Sequence, residues 1–203
     1  MSCAFERRLG KRGDGGKWAC DPDQLLEHGR CAIASVGSEN EWSFETEVLE
    51  RYACDFVHTF DHTVYDPTPP RGATFHPLKL SAADDEAERT ISVAGVVRML
   101  PPGRVLDILK IDIEGAEHDL FRGLAKQRFD WSAVGQVLLE THEPSIAKDE
   151  GVLLGLIEQA GGNLAAFHSE VNIYHTQVHP ACAFHSLALL TAALLTGHCL
   201  RCP

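Results

Sequence analysis

The most apolar segment of the chain ends in two carboxylates. Residues 105–117 read VLDILKIDIEGAE, and the run of isoleucines and leucines predicts a strand that is covered on both faces. Asp112 and Glu114 stand at its exit, on the face of Lys110 for as long as the strand stays extended. Because a buried charge needs a partner or a task, these acids indicate an ion pair with Lys110 or a functional site, and we favour the functional site.

Two further groups that do chemistry, Glu140 and His142, lie at the exit of the strand predicted at 136–141. Neighbouring strands lie about 4.8 Å apart, so Asp112 and Glu140 would leave adjacent strands side by side. His142 then suits a general base, because the pKa of histidine is near neutral. Alternatively, Asp112, Glu140 and His142 hold a divalent metal, Mg or Ca, or His142 makes only a structural hydrogen bond.

The first half of the chain has the pattern of a nucleotide-binding βαβ unit. Gly37 ends the strand predicted at 31–36, and the helix that follows presents its backbone amides to an anionic group. Asp61 ends the next strand, predicted at 55–60. It lies 24 positions after Gly37, close to the roughly 20-residue offset of a carboxylate that binds ribose hydroxyls. We therefore expect Asp61 to bind the ribose of a nucleotide cofactor.

Strands and helices alternate along the chain. Besides the central strand, strands are predicted at 31–36, 55–60, 73–80, 136–141, 164–168 and 182–190, and helices at 22–28, 92–100, 116–127 and 149–160. This alternation predicts a doubly wound α/β sheet. We expect one domain over residues 1–203, with an N-terminal lid or turn segment at 1–30 and a core at 31–190.

Composition and charge limit the partners and the compartment. The chain has 203 residues and a formal net charge of −11 that no basic stripe offsets, so we expect no nucleic-acid partner. The longest apolar stretch, 187–195, is too short to span a bilayer. Residues 1–16 are basic and glycine-rich, without an apolar core, so no signal peptide is visible. A soluble, cytoplasmic protein is the default expectation.

Four sequence segments resemble a known family. The string VLDILKIDIEGAEHDLFRGL resembles the signature of FkbM-type S-adenosylmethionine-dependent methyltransferases. GDGGKWAC, SVGSENEWSFE and ACDFVHTFD look like a methyltransferase-like branch of that superfamily. The resemblance covers residues 13–190. It implies a Rossmann-like class I methyltransferase fold, a three-layer sandwich with a seven-stranded, mostly parallel sheet.

The resemblance also implies roles for single residues. Residues that match the cofactor-binding positions are Gly37, Ser38 and Glu39 for the methionine part, Asp61 for the ribose, and Ser81 and Asp84 near the adenine. Asp112 and Glu114 would face the methyl-transfer site. Cys20 and Cys31 match cysteines of the methyltransferase-like branch, which implies a disulfide in an oxidising compartment; two free thiols fit the sequence equally well.

The function that this resemblance implies is S-adenosylmethionine-dependent methyl transfer, as O-methylation of a small-molecule or glycan hydroxyl. A non-catalytic α/β binding module and a nicotinamide-dependent oxidoreductase are the alternatives. The oxidoreductase would share the role of Asp61, but the chain lacks the G-x-G-x-x-G fingerprint of dinucleotide binding.

Overall fold

The computed structural model describes residues 3–13, 15–142, 155, 164–172 and 184–191. The strands are β1 (Glu6–Leu9), β2 (Lys17–Cys20), β3 (Ala32–Val36), β4 (Phe56–Phe60), β5 (Thr74–His76), β6 (Lys79–Ser81), β7 (Thr90–Ser92), β8 (Leu106–Ile111), β9 (Val134–His142), β10 (Leu164–Asn172) and β11 (Phe184–Thr191). The helices are α1 (Pro22–Leu25), α2 (Ser43–Tyr52), α3 (Val93–Arg98) and α4 (Glu117–Gln127), with a 3-10 turn at Trp131–Ala133. The helix predicted at 149–160 lies outside the described residues, apart from Gly155.

The main sheet has the strand order β10-β11-β9-β8-β3-β4-β5. Five neighbouring strands, from β9 to β5, form a continuous parallel block. β11 joins this block by antiparallel pairing with β9, and β10 pairs antiparallel with β11. The predicted doubly wound, mostly parallel sheet is therefore confirmed. The third predicted strand, 73–80, is divided instead, since β5 joins the main sheet whereas β6 pairs with β7.

Apolar side chains cover both faces of the parallel block, which explains the unbroken hydrophobic run of β8. On one face α2 packs Phe44, Val48 and Tyr52 against the sheet. On the other face α3 and α4 contribute a second apolar layer that includes Val96 and Phe121. The central sheet thus lies between two helical layers. Among the described residues, no helix combines the length and the apolar character that crossing a membrane requires.

A hairpin of β1 and β2 packs on the α2 side of the sheet, beside β9. Its antiparallel register pairs Leu9 with Lys17, and Leu9 is fully buried. The side-chain amide of Gln136 on β9 fastens β2 to the sheet: its Nε2 donates to the carbonyl of Cys20 over 2.6 Å, and its Oε1 accepts from the Cys20 amide over 3.0 Å. The hairpin was not predicted, because each strand has only four residues and lacks a clear apolar alternation.

Two disulfides join four of the seven cysteines. Cys3 is bonded to Cys20, and Cys31 is bonded to Cys54. The predicted Cys20–Cys31 bridge is therefore wrong, although both residues are in disulfides. Proximity along the chain was misleading here, because the hairpin brings Cys3 to Cys20, and the turn after α2 brings Cys54 back to the start of β3.

Candidate functional site

The loop after β3 and the exit of β8 are in direct contact. Gly37 has a φ of +76°, and a Cβ built on it would lie 1.6 Å from the carbonyl oxygen of Asp112, so only glycine fits. The Asp112 amide donates to the carbonyl of Val36 over 2.9 Å, and Lys110 Nζ donates to the carbonyl of Gly37 over 3.0 Å. The first loop of the predicted nucleotide-binding unit is thereby fixed to the acidic exit of the central strand.

Asp61 holds the same loop from the β4 side. Its Oδ2 accepts from the amides of Ser38 and Glu39, both over 2.9 Å. Its Oδ1 accepts from the amide and the hydroxyl of Thr63, over 2.8 and 2.6 Å. Burial alone raises the pKa of this carboxyl, but these hydrogen bonds outweigh it and lower the pKa below its ordinary value. Both oxygens are thus engaged within the protein, and the role of Asp61 in binding ribose stays a prediction.

The chain turns sharply after β8, which ends at Ile111. Glu114 and Gly115 both have positive φ, 53° and 94°. Glu117, the first residue of α4, stabilises this turn: its Oε1 accepts from the amides of Ile113 and Gly115, each over 3.3 Å. Glu114 is therefore presented by a turn and not by continued strand alternation. A left-handed glutamate is a strained conformation of the kind that concentrates at functional sites.

Asp112 forms an ion pair with Lys17 from the N-terminal hairpin, and not with Lys110. Lys17 Nζ lies 3.1 Å from Asp112 Oδ2 and 2.5 Å from Glu140 Oε2. Burial alone would raise the pKa of Asp112, but the nearby charges of Lys17, Lys110 and His142 lower it. Burial alone would also lower the pKa of Lys17, but the two carboxylates outweigh it and raise that pKa. Lys17 and Asp112 are accordingly both charged at neutral pH.

His142 lies among three carboxylates at the end of β9. Its Nε2 is 3.4 Å from Asp112 Oδ1 and 3.5 Å from Glu114 Oε1, and its Nδ1 is 3.1 Å from Glu117 Oε1. Burial lowers the pKa of His142, but the hydrogen bond that it donates to Glu117 and the surrounding negative charges outweigh it and raise the pKa. The imidazole is thus held in a fixed orientation with its proton affinity increased.

The metal-binding set predicted from the sequence is not assembled as expected. Ligand atoms of Asp112, Glu114 and His142 lie within 4.8 Å of one another, but Glu140 is directed to Lys17. The Lys17 ammonium therefore lies between the two carboxylates, Asp112 and Glu140, that were expected to share the metal. Neither this arrangement nor the comparisons below support a metal.

A cavity of about 240 Å³ opens beside these groups at the carboxyl ends of the parallel strands. Its apolar wall includes Phe60, Leu78, Leu80 and Ile113. The predicted site residues that line it are Gly37, Ser38, Glu39, Asp61, Asp112 and Glu114.

An apolar wall with carboxylates and loop amides at one end fits S-adenosylmethionine, whose adenine is flat and whose amino and sulfonium groups are cationic.

Four of the predicted site residues lie away from the cavity wall: Glu140, which contacts Lys17, and Ser81, Asp84 and His142. Asp84 pairs with Arg98, accepts from the Ser92 amide over 2.6 Å and borders a separate, shallow depression. Ser81 ends β6, one residue beyond the lining residue Leu80. His142 lies behind Asp112 and Glu114. The structure therefore does not bring Ser81 and Asp84 to this cavity.

Sequence reasoning missed three residues that build the site: Lys17, Glu117 and Gln136. Glu117 is the last residue of the IEGAE string, and its position at a helix start next to a glycine was an available signal. Lys17 lies in a glycine-rich run that resembles a surface turn, and Gln136 is one polar residue in an apolar strand. The roles of Lys17 and Gln136 follow only from the packing of the hairpin against the sheet, which the sequence does not show.

Comparison with known proteins gives the following findings. A search of the curated proteins found no match. Among solved structures, the chain is similar to Sp1610 of Streptococcus pneumoniae, described as "a putative tRNA (m1A22) methyltransferase". The identity is 11%, the TM-score is 0.47, and the match covers 85% of this chain and 70% of that one.

This neighbour requires a correction to the expected partners. The description of Sp1610 names tRNA, and the exclusion of nucleic acid that we drew from the net charge is not retained. The small-molecule or glycan acceptor is not retained either.

The family comparison determines the reaction class. Residues 1–184 match a family described as "Methyltransferase domain", which spans the hairpin, the cavity and the acidic cluster. This match decides against the binding module and the nicotinamide-dependent oxidoreductase, and it does not confirm the FkbM subtype. Family membership also implies use of S-adenosylmethionine. The chain belongs to this methyltransferase-domain family, and the protein is a methyltransferase.

Proposed function

We propose that the protein transfers a methyl group from S-adenosylmethionine to an acceptor bound at Asp112 and Glu114. The observation that supports this proposal most directly is the convergence of Asp112, Glu114 and His142 next to the cavity. Bound S-adenosylmethionine supplies an electrophilic methyl carbon. The protein must then align the acceptor with that carbon and remove a proton from it.

The carboxylates and the imidazole have distinct tasks in this proposal. Asp112 and Glu114 face the cavity and accept hydrogen bonds from the acceptor. Glu117 Oε1 accepts from His142 Nδ1, 3.1 Å away, which leaves Nε2 as the basic nitrogen. The acceptor proton passes to Asp112 and on to His142 Nε2, which lies 3.4 Å from Asp112 Oδ1. The three carboxylates around the ring stabilise the imidazolium that forms.

The first loop positions the cofactor. Gly37 allows the close approach to Asp112, and Asp61 fixes the amides of Ser38 and Glu39 at the cavity. We propose that this loop contacts the methionine part of the cofactor. Asp61 then acts mainly by holding the loop, since its oxygens already accept five hydrogen bonds within the protein.

Calorimetry combined with label transfer tests the proposed function. S-adenosylmethionine and S-adenosylhomocysteine should each bind one site, whereas NAD should not bind. Protein incubated with methyl-labelled S-adenosylmethionine and separate fractions of RNA, protein, glycan and small molecules should label one fraction. Binding of NAD in preference to both sulfur compounds would refute the proposal, and so would cofactor binding without label in any fraction.

We also propose that the protein matures in an oxidising compartment, in place of the cytoplasmic default. Cys3–Cys20 and Cys31–Cys54 are well-separated pairs, and such bridges persist where thiols are not kept reduced. Mass spectrometry of protein whose free thiols were blocked at cell lysis should recover both linked peptide pairs. Alkylation of all four cysteines would reject this proposal.

A further inference from the structure

The hairpin contributes a buried cation to the acidic cluster. Lys17 is 2% exposed, although it is the first residue of β2 and directly follows a glycine-rich segment. Its Nζ contacts one oxygen of Asp112 and one of Glu140, from two neighbouring parallel strands. The ammonium therefore bridges the ends of β8 and β9 at the edge where the cavity opens.

This bridge fixes the direction of the Asp112 carboxylate. Oδ2 is held by Lys17 over 3.1 Å, so that Oδ1 is left facing His142 Nε2 at 3.4 Å. Without a cation nearby, a carboxylate this deeply buried would lose its charge or turn toward water. The opposite face of Asp112 is fixed through its backbone by Val36. The orientation of the acid, and part of the stabilisation of its charge, thus depend on a residue from a separate part of the chain.

We propose that Lys17 is a positioning residue for methyl transfer, delivered to the site by a hairpin that the Cys3–Cys20 disulfide holds in place. This inference rests on the proposed function, because it assigns to Lys17 the orientation of the acid that receives the acceptor proton. Lys17 does not line the cavity; it acts through Asp112.

The contacts that hold the hairpin in place support a role of the Cys3–Cys20 disulfide in placing Lys17 at the site. Cys20 is three residues from Lys17 in the same strand, and it is bonded to Cys3 ahead of β1. The backbone of Cys20 is also clamped by Gln136, whose side chain is 2% exposed. The amide of Asp21 donates to the carbonyl of Phe5 over 2.7 Å, which closes the same end of the hairpin. The disulfide, the Gln136 clamp and the Lys17 bridge all lie on one short strand.

Amine acetylation followed by peptide mass spectrometry tests the delivery. Three lysines of the wild type serve as internal references: Lys17 and Lys110 are buried, whereas the Lys11 side chain is half exposed. Lys11 should react fast, and Lys17 and Lys110 should be protected. In Cys3→Ser/Cys20→Ser, Lys17 should react at least about 10-fold faster while Lys110 stays protected, because the core remains folded.

The second disulfide gives the matched control. Cys31→Ala/Cys54→Ala removes a bridge that closes a loop of similar length. This bridge lies at the start of β3, away from the cavity, so Lys17 should stay protected. Reaction of Lys17 as fast as Lys11 in the wild type would overturn the proposal. Equal protection of Lys17 in both double variants would overturn the role of the Cys3–Cys20 bridge.

Turnover tests the positioning itself. Lys17→Met alone removes the ammonium that Asp112 and Glu140 share and is at risk of misfolding. The charge-balanced variant Lys17→Met/Glu140→Gln removes one charge of each sign, so it keeps the net charge of the cluster. We expect its methyl-transfer kcat to fall at least about 10-fold, the scale of a misplaced catalytic group, while affinity for S-adenosylhomocysteine stays within about threefold. Lys17→Arg should recover part of kcat.

Lys126→Met, at an exposed position of α4, should leave both quantities unchanged and controls for loss of a lysine. A purely structural role would instead lower melting temperature, cofactor affinity and kcat together. Wild-type turnover in the charge-balanced variant would overturn the positioning role of Lys17 and would leave the proposed function standing. A wild-type protein that labels no acceptor fraction would overturn both this inference and the proposed function.

Discussion

The two ends of the parallel sheet both carry charged side chains, but they use them differently. At the amino end, Arg104 binds Asp55 through two oxygens, over 2.9 and 2.7 Å, and also binds the carbonyl of Arg30. Asp107 accepts from the amide of Ala32 over 2.7 Å. Each charge there ties two neighbouring elements together.

At the carboxyl end, several carboxylates surround one imidazole and border a cavity. Three of them lie within 3.5 Å of His142, and one of these, Asp112, also shares the ammonium of Lys17. Clustered carboxylates reduce stability, and such clusters are typical of functional sites. The pairs at the amino end are local and are explained by the contacts that they make between neighbouring elements. We infer that the amino end maintains the fold and the carboxyl end carries out the chemistry. Substitutions at each end can test this division.

The largest stability effect is expected at the amino end, from removal of the Cys31–Cys54 disulfide. The bridge closes a loop of 23 residues, for which the chain-entropy account gives about 3 kcal/mol of stabilisation. Cys31→Ala/Cys54→Ala should therefore lower the melting temperature by about 6–12 °C. Calorimetry provides the melting temperature, and label transfer well below it should give the wild-type rate. A rate that falls at low temperature would break the division between the two ends.

The same contrast explains what the sequence predicts well. Four of the five parallel strands, β3, β4, β8 and β9, are almost entirely buried, so each is an apolar run that local patterns detect. The adjacency of β8 and β9, which brings Asp112 near Glu140, also follows from the fold class and is observed. The disulfide pairing and the hairpin depend on contacts between distant parts of the chain, and short-range spacing suggested the wrong partner for Cys20.

Asp112→Asn at the carboxyl end should reduce the rate of methyl transfer by about 10²-fold, the scale of one acid–base contribution. The amide keeps the shape but loses the charge that receives the proton. Lys17 remains paired with Glu140 over 2.5 Å, so we expect the melting temperature to change by only about 2–4 °C. Label transfer and calorimetry on the same preparation measure both quantities.

Asp55→Asn is the matched substitution at the amino end. Asp55 pairs with Arg104 and lies far along the strands from the cavity, so the variant should transfer methyl groups at the wild-type rate. The assignment of Asp112 would fail if its variant kept the wild-type rate, or if its rate fell only in proportion to its stability.

Asp61→Ala should weaken binding of S-adenosylhomocysteine about 10-fold. The substitution removes hydrogen bonds of about 1.5 kcal/mol or more to the amides of Ser38 and Glu39, so the loop at the cavity becomes mobile. Titration calorimetry measures the affinity. Asp84→Ala serves as the comparison. Asp84 lies outside the cavity, so we expect this variant to bind S-adenosylhomocysteine with wild-type affinity. If Asp84→Ala lowered the affinity for S-adenosylhomocysteine and Asp61→Ala did not, then Asp84, and not Asp61, would belong to the cofactor site.

The site was less predictable than the sheet, for a physical reason. Asp112, Glu114 and His142 were found because they follow apolar strands, whose exits meet at one edge. Lys17 was not assigned to the cluster, because nothing in a glycine-rich segment shows that its lysine becomes buried. Asp84 was assigned by resemblance, yet its carboxylate is engaged by Arg98 and the Ser92 amide. A sequence pattern locates a loop, but side-chain partners decide which way its groups turn.

The smallest effect concerns Asp107 at the amino end. Burial raises the pKa of this carboxyl from 3.8 to about 6. Between about pH 4 and pH 6 the folded state keeps a proton that the unfolded state has lost, so stability decreases as the pH rises through this range and stays lower above it. Asp107→Asn does not titrate, and its side-chain oxygen still accepts from the Ala32 amide. The raised pKa corresponds to about 3 kcal/mol between the two protonation states, but Asp107 is only half-buried, so water screens part of this difference. The variant should therefore be more stable than the wild type above pH 6, by about 1 kcal/mol or 2–4 °C, and the gain should shrink toward pH 4. Thermal melts across pH 4–8 measure the gain, and Asp55→Asn, which loses an ion pair instead, should show none. A gain for Asp107→Asn that is constant with pH would contradict the origin in a buried charge.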